Sequence, residues 1–387
     1  MTTAARSATA AAAILLLAIN LRTALATIPI LAEPIARSFP FDSDSLALIG
    51  ALPPIGFAAA SAVLPAIARA LSQPTTVLLA LGLSAAGHVL RASATSSGML
   101  IGATALALTG AGMGAAILPA LIKRYFPRRI ELLTATVGIL FAFSVAGSTV
   151  LTQVTADRLG WRVALAIWAA AIAIAVAPWL MLGRDSDSRT PLRTLRTVRV
   201  WRKAYAWALA AYFGSGAAIV FGLLTWLPAI LQQVAGTGRA QAAWSLALFA
   251  LMGIPLNATI LTLGRRARWR VRLLVVGATA FMIGLAGLLF APQVTSVWIA
   301  FLGFGPVSMQ MILVLCATWS ASTAEATSVS GFVQGIGFIF GAMAAPAMEL
   351  LAEVYDTWTV PLMMLLLLAV LPLLTTALLR DPRRSTT

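Results

Sequence analysis

Apolar runs of about twenty residues, the length a helix needs to cross a bilayer core, recur along almost the whole chain of 387 residues. Between charged or Pro/Gly-marked breaks, the first half reads as six spans: 10–33, 44–68, 74–91, 98–122, 131–156 and 161–183. The second half reads as six more: 204–233, 240–263, 271–291, 295–320, 325–351 and 357–379. An all-α membrane protein of twelve transmembrane helices is predicted, because a helix satisfies its backbone hydrogen bonds internally where water is absent. Charged residues are 10% of the chain, against roughly a quarter in soluble domains. The N-terminal stretch, Arg6 followed by AAAAILLLA and then Ala24-Leu25-Ala26, imitates a secretory signal. Its apolar run continues past Arg22, so it reads as the first span.

The longest polar segment, RDSDSRTPLRTLRTVRVWRK (184–203), lies midway and reads as a cytoplasmic linker. It separates an N-terminal six-helix bundle, 1–183, from a C-terminal one, 204–387. Counting Lys and Arg by side places 21 with both termini and the linker, 5 opposite (Arg37, Arg91, Arg158, Arg162 and Arg239), and Arg22 alone within a span. By the positive-inside rule both termini are cytoplasmic, as expected for an inner-membrane protein. The net charge of +15 is thus a topology signal that suits anionic headgroups, and no nucleic-acid partner is expected. With one cysteine, Cys316, and one histidine, His88, the chain offers neither an intrachain disulfide nor a usual zinc site. No GxxxxGK[ST] phosphate loop is present. No enzyme activity, cofactor or metal is expected. His88, beside Arg91 at the end of the third span, reads as an interfacial residue, and Glu349, Glu353 and Asp356 as solvated helix ends.

The halves echo each other. Pro29 matches Pro228, SLAL at 45–48 recurs at 245–248, Gly110/Gly112 match Gly303/Gly305, and Glu131 matches Glu325. These offsets of 193 to 200 residues indicate a duplicated six-helix unit, a common plan of secondary transporters that hold substrate near the midplane. NLRTALATIP (20–29) then carries the main anomaly. Arg22 stands a dozen residues into the first span, roughly 18 Å deep, where a lone cation costs a few kcal/mol. Glu33, on the same face, lies about 16 Å further along. Without a built-in counter-ion, Arg22 suits an anionic or strongly dipolar ligand. Phe221 precedes Pro228 by seven residues as Arg22 precedes Pro29, so the repeat places it opposite Arg22, with Trp226 nearby. Asn257, Gln310 and Gln334 are the mid-span amides of the second half. Pro29 and Pro228 are candidate bends; Gly138, Gly147, Gly335 and Gly341 are candidate sliding points.

The whole chain resembles the major facilitator superfamily. GAGMGAAILPALIKRYFPRR (110–129) is similar to that superfamily's fourth helix and following turn, GWR (160–162) to the start of its sixth, and LGRRAR (263–268) to the basic turn after its eighth. The turn LPAIARALSQP (64–74) lacks the usual Gly and Asp. NLR with Pro29, and WLP at 226–228, resemble the cyanate and 2-nitroimidazole transporter family. In that family the Phe221 position often holds tyrosine. The resemblance implies a monomeric secondary transporter working by alternating access on a small planar anion or nitro-heteroaromatic. The rival is an exporter of larger apolar drugs, in which Arg22 is structural.

Overall fold

The computed structural model describes residues 3–183, 200–263, 266–319 and 323–378. The chain divides into two units, Met1–Arg193 and Thr194–Thr387. The expected linker, 184–203, lies outside the described residues except for its last four.

The first unit contains α1 (Thr3–Asn20), α2 (Thr27–Ala36), α3 (Ser43–Ala70), α4 (Gln73–Ala92), α5 (Ser97–Tyr125), α6 (Ile130–Leu159) and α7 (Trp161–Gly183). Asp42, Ser72 and Ser96 cap α3, α4 and α5, each side chain accepting a backbone N–H three residues on, which satisfies a donor that a helix start leaves open. The second unit contains α8 (Ala204–Val234), α9 (Arg239–Leu251), α10 (Gly253–Leu263), α11 (Ala267–Phe290), α12 (Thr295–Phe304), α13 (Val307–Trp319), α14 (Thr323–Tyr355) and α15 (Thr359–Leu378).

Among the described residues fifteen α-helices follow the twelve predicted spans, with three of the spans broken in two. Eleven stretches of the described residues are long and apolar enough to cross a membrane. The first span, expected as one helix over 10–33, is instead α1 and α2 joined by a non-helical 21–26. The eighth breaks at Met252 and the tenth at Gly305–Pro306. Each break has a proline close behind it. Pro29 and Pro255 are third in α2 and α10, and Pro306 immediately precedes α13. A proline there lacks the N–H that would bond the preceding turn, and it fits the first turn of a new helix. Proline alone does not decide the outcome, since α8 runs unbroken through Pro228. The repeat is therefore imperfect where it matters most: the backbone is broken at Arg22 and helical at Phe221.

Glycines set the spacing of the first unit. A Cβ on Gly110 would collide with the Ala80 and Ser84 backbone of α4. One on Gly112 would stand 2.9 Å from Ala60 Cβ and 3.0 Å from both the Gly56 carbonyl and Phe57 Cδ1 of α3. Without a side chain at these points three helices approach closely, the usual device where apolar burial gives no drive between helices in lipid. A core of α1, α4, α5, α6 and α7 forms beside them around Leu17, Leu121 and Trp179. The outside is equally apolar: Ile174 and Leu367 are 66% and 73% exposed, as a lipid-facing surface requires.

Candidate functional site

Breaking a helix strands carbonyls, and the first unit supplies hydroxyls for them. The Ile19 carbonyl, which Thr23 N–H would take in a continuous helix, accepts from Ser144 of α6. The Asn20 carbonyl accepts from Thr23 Oγ1 at 3.0 Å. Asn20 itself folds back, its Nδ2 donating to the Leu16 carbonyl at 2.8 Å. Irregular backbone at membrane depth persists where neighbouring side chains satisfy it in this way.

Arg22 occupies the opened turn. Its guanidinium carbon lies 5.1 Å from the centre of the Phe57 ring of α3 and 4.9 Å from that of Phe141 of α6. Both distances are within cation–π range, about 0.5–2 kcal/mol each depending on desolvation. Together they offset much of the roughly 2.5–3.5 kcal/mol that insertion scales assign to a mid-membrane arginine. A ring bonds through its face and takes none of the N–H groups in the guanidinium plane. Among the described residues no hydrogen-bond acceptor or carboxylate engages those groups, and Arg22 is only half-buried. Glu33, the nearest acid in sequence, forms an exposed ion pair with Arg37. The site is thus a cation steadied by two rings, with its hydrogen-bonding edge uncommitted.

His88 and Arg91, in the last turns of α4, are fully buried within the protein, and hydroxyls from the broken segment meet them. Arg91 Nη2 donates to Thr27 Oγ1 at 2.8 Å, and His88 Nε2 stands 3.4 Å from Thr23 Oγ1. Glu349, expected as a solvated end, is 7% exposed in α14.

In the second unit Phe221 is buried, edge-on to Phe338, and lies where a Cβ on Gly341 would be 3.0 Å from its ring. Trp226 is 2% exposed, donates its Nε1 to the Ala345 carbonyl at 2.9 Å and packs against Trp358. Its one polar group is therefore already engaged within the unit, which leaves the ring itself for any contact with solute. Gln334 bonds Ser330 of its own helix, with Nε2 at 2.9 Å from the hydroxyl. Gln310 is exposed on the first turn of α13. The side chain of Asn257 lies outside the described residues. Gly341 is a close-packing point, whereas Gly147 and Gly335 face open space and Gly138 is half-buried. A groove of about 720 Å³ along α11 and α12 is lined by Val275, Ile283, Val297 and Phe301, with Thr279 and Ser296 as polar members. It offers nothing to an anion.

Sequence reasoning missed Phe57 and Phe141, which no spacing marks. It also missed the hydroxyl set Thr23, Thr27 and Ser144. Thr23 and Thr27 were visible as a pair four residues apart facing the His88–Arg91 pair, had the third span been read as buried throughout.

Comparison with known proteins agrees with this architecture. The family model of the Major Facilitator Superfamily matches residues 10–346. The 2-nitroimidazole transporter of Escherichia coli (strain K12) is 28% identical over 93% of this chain and 92% of its own length. The cyanate transport protein CynX of the same organism is 26% identical over 86% of each. The uncharacterized transporter YycB of Bacillus subtilis (strain 168) is 25% identical over 91% of this chain and 89% of its own. Among solved structures, a mutant of the nucleoside transporter NupG superposes with a TM-score of 0.76 at 13% identity, covering 96% of this chain and 100% of that one. That last likeness concerns the fold alone.

Proposed function

This chain belongs to the major facilitator superfamily, a multi-pass membrane transporter rather than an enzyme, and on that premise we propose that it carries a small anionic or nitro-bearing planar solute. The solute crosses the inner membrane by alternating access, with both termini cytoplasmic, and Arg22 is its binding cation. One observation carries this reading. The guanidinium of Arg22 is held by the faces of Phe57 and Phe141 while its N–H groups meet no acceptor among the described residues. A carboxylate-like or nitro group completes such an edge with two parallel hydrogen bonds, and a linear anion such as cyanate accepts from it through a terminal atom. The printed substrates of two relatives, 2-nitroimidazole and cyanate, have this chemistry. Phe221, paired with Arg22 by the repeat, Trp226 close to it in sequence, and the amides of Asn257, Gln310 and Gln334 are the second-unit groups assigned to solute. Pro29, Pro228, Gly138, Gly147, Gly335 and Gly341 are assigned to bending and sliding of helices.

The test is counterflow of labelled cyanate and 2-nitroimidazole in liposomes, with thermal-shift measurements on the same protein. A solute at 100 times its Kd stabilises by about 2.7 kcal/mol, so wild type should melt higher with it and Arg22→Gln should not. Transport and thermal shift that survive Arg22→Gln unaltered would remove Arg22 as the binding cation, and no counterflow of either solute in wild type would favour an apolar-drug exporter.

A further inference from the structure

The first unit buries a second arginine that solute binding does not use. Arg91 lies one turn after His88 near the end of α4, both with no exposed surface. Among the described residues no acid forms an ion pair with it. A buried cation with no counter-charge in a membrane helix needs a reason, and its bonds lead, directly or through His88, to the break in the first span. Arg91 Nη2 donates to Thr27 Oγ1 at 2.8 Å and Nη1 to His88 Nδ1 at 3.4 Å. Arginine only donates, so Nδ1 is an acceptor and the neutral imidazole carries its proton on Nε2. That N–H faces Thr23 Oγ1 at 3.4 Å, and the Thr23 hydroxyl passes its own hydrogen to the Asn20 carbonyl at 3.0 Å. The donors therefore run in one direction, from α4 to both ends of the opened turn. Thr23 follows Arg22 directly, and Thr27 begins α2.

We propose that Arg91 and His88 are positioning residues that latch the 21–26 turn and so aim the Arg22 guanidinium at its solute. This rests on the reading of Arg22 as the binding cation. The Arg91–Thr27 bond is the strong member; the two histidine bonds, at 3.4 Å, are at the long end. Arg91 already has a buried Nε without a partner. Losing the Thr27 acceptor would leave most of its guanidinium unsatisfied, so the turn should respond.

The experiment compares Thr27→Val, which keeps the shape and drops the hydroxyl, with Thr27→Ser, which keeps the hydroxyl. Thr23→Val serves as a second variant if Thr27→Val does not fold. Full-length protein is read by hydrogen exchange over residues 20–28 and by Kd for 2-nitroimidazole and cyanate, with Arg22→Gln in parallel. Thr27→Val should speed exchange in 20–28 and weaken binding by about tenfold each, the factor carried by a lost buried hydrogen bond. Exchange in α5 should stay unchanged, and Thr27→Ser should restore both values. Wild-type affinity in Thr27→Val, whether or not exchange rises, would overturn the positioning role while Arg22→Gln still fails to bind. Wild-type affinity in Arg22→Gln would instead bring down the reading beneath it.

Discussion

Ser144→Ala removes one hydroxyl from α6 and leaves the Ile19 carbonyl, already deprived of its helical partner, with no donor among the described residues. Two magnitudes compete for the outcome. An ordinary hydrogen bond between membrane helices averages about 0.6 kcal/mol, whereas a buried acceptor left unsatisfied costs about 1–3 kcal/mol. Ser144 is 5% exposed, so water has little room to replace it, and a loss of about 1–2 kcal/mol is expected. Ser148→Ala is the control. Its hydroxyl bonds the Val145 carbonyl, which also accepts from Thr149 Oγ1 at 2.8 Å, so nothing is stranded and the loss should be about a few tenths of a kcal/mol. Both variants and wild type are unfolded by detergent titration of the purified protein. Equal losses at the two serines would refute the argument that the broken first span depends on side chains for its carbonyls.

Trp226→Phe keeps the ring against Trp358 but drops the bond to Ala345. It should cost about 1 kcal/mol of stability, read by detergent unfolding; an unaltered midpoint would contradict a stabilising role for that bond. Asp42, the cap of α3, has its carboxyl held below the ordinary value of 3.8 by hydrogen bonds from Ser45. A depressed carboxylate contributes stability that is full above the unfolded-state pKa and is lost as pH falls through the folded one. Melting temperature in acid, below about pH 4, should therefore drop further for wild type than for Asp42→Asn; parallel melting curves would contradict it.

Hydropathy and proline spacing were enough to place twelve apolar spans, the polar divide between two halves, and the isolated cation at Arg22. Those are local properties: the length of an apolar run and the charge inside it do not depend on what lies opposite. Tertiary structure decided how that cation is held. Phe57 comes from α3 and Phe141 from α6, and Gly112 of α5 lets Phe57 stand where it does. The same holds for the break itself. Pro29 and Pro228 look alike in sequence, yet one follows an opened turn and the other rides inside a continuous helix. The difference is that Ser144 and Thr23 satisfy carbonyls freed at the first, while the Arg91–His88 pair meets the Thr27 and Thr23 hydroxyls beside them. A polar residue in an apolar span announces that it needs a partner, but the identity of the partner is settled by other helices, here from 35 to 125 residues away in sequence.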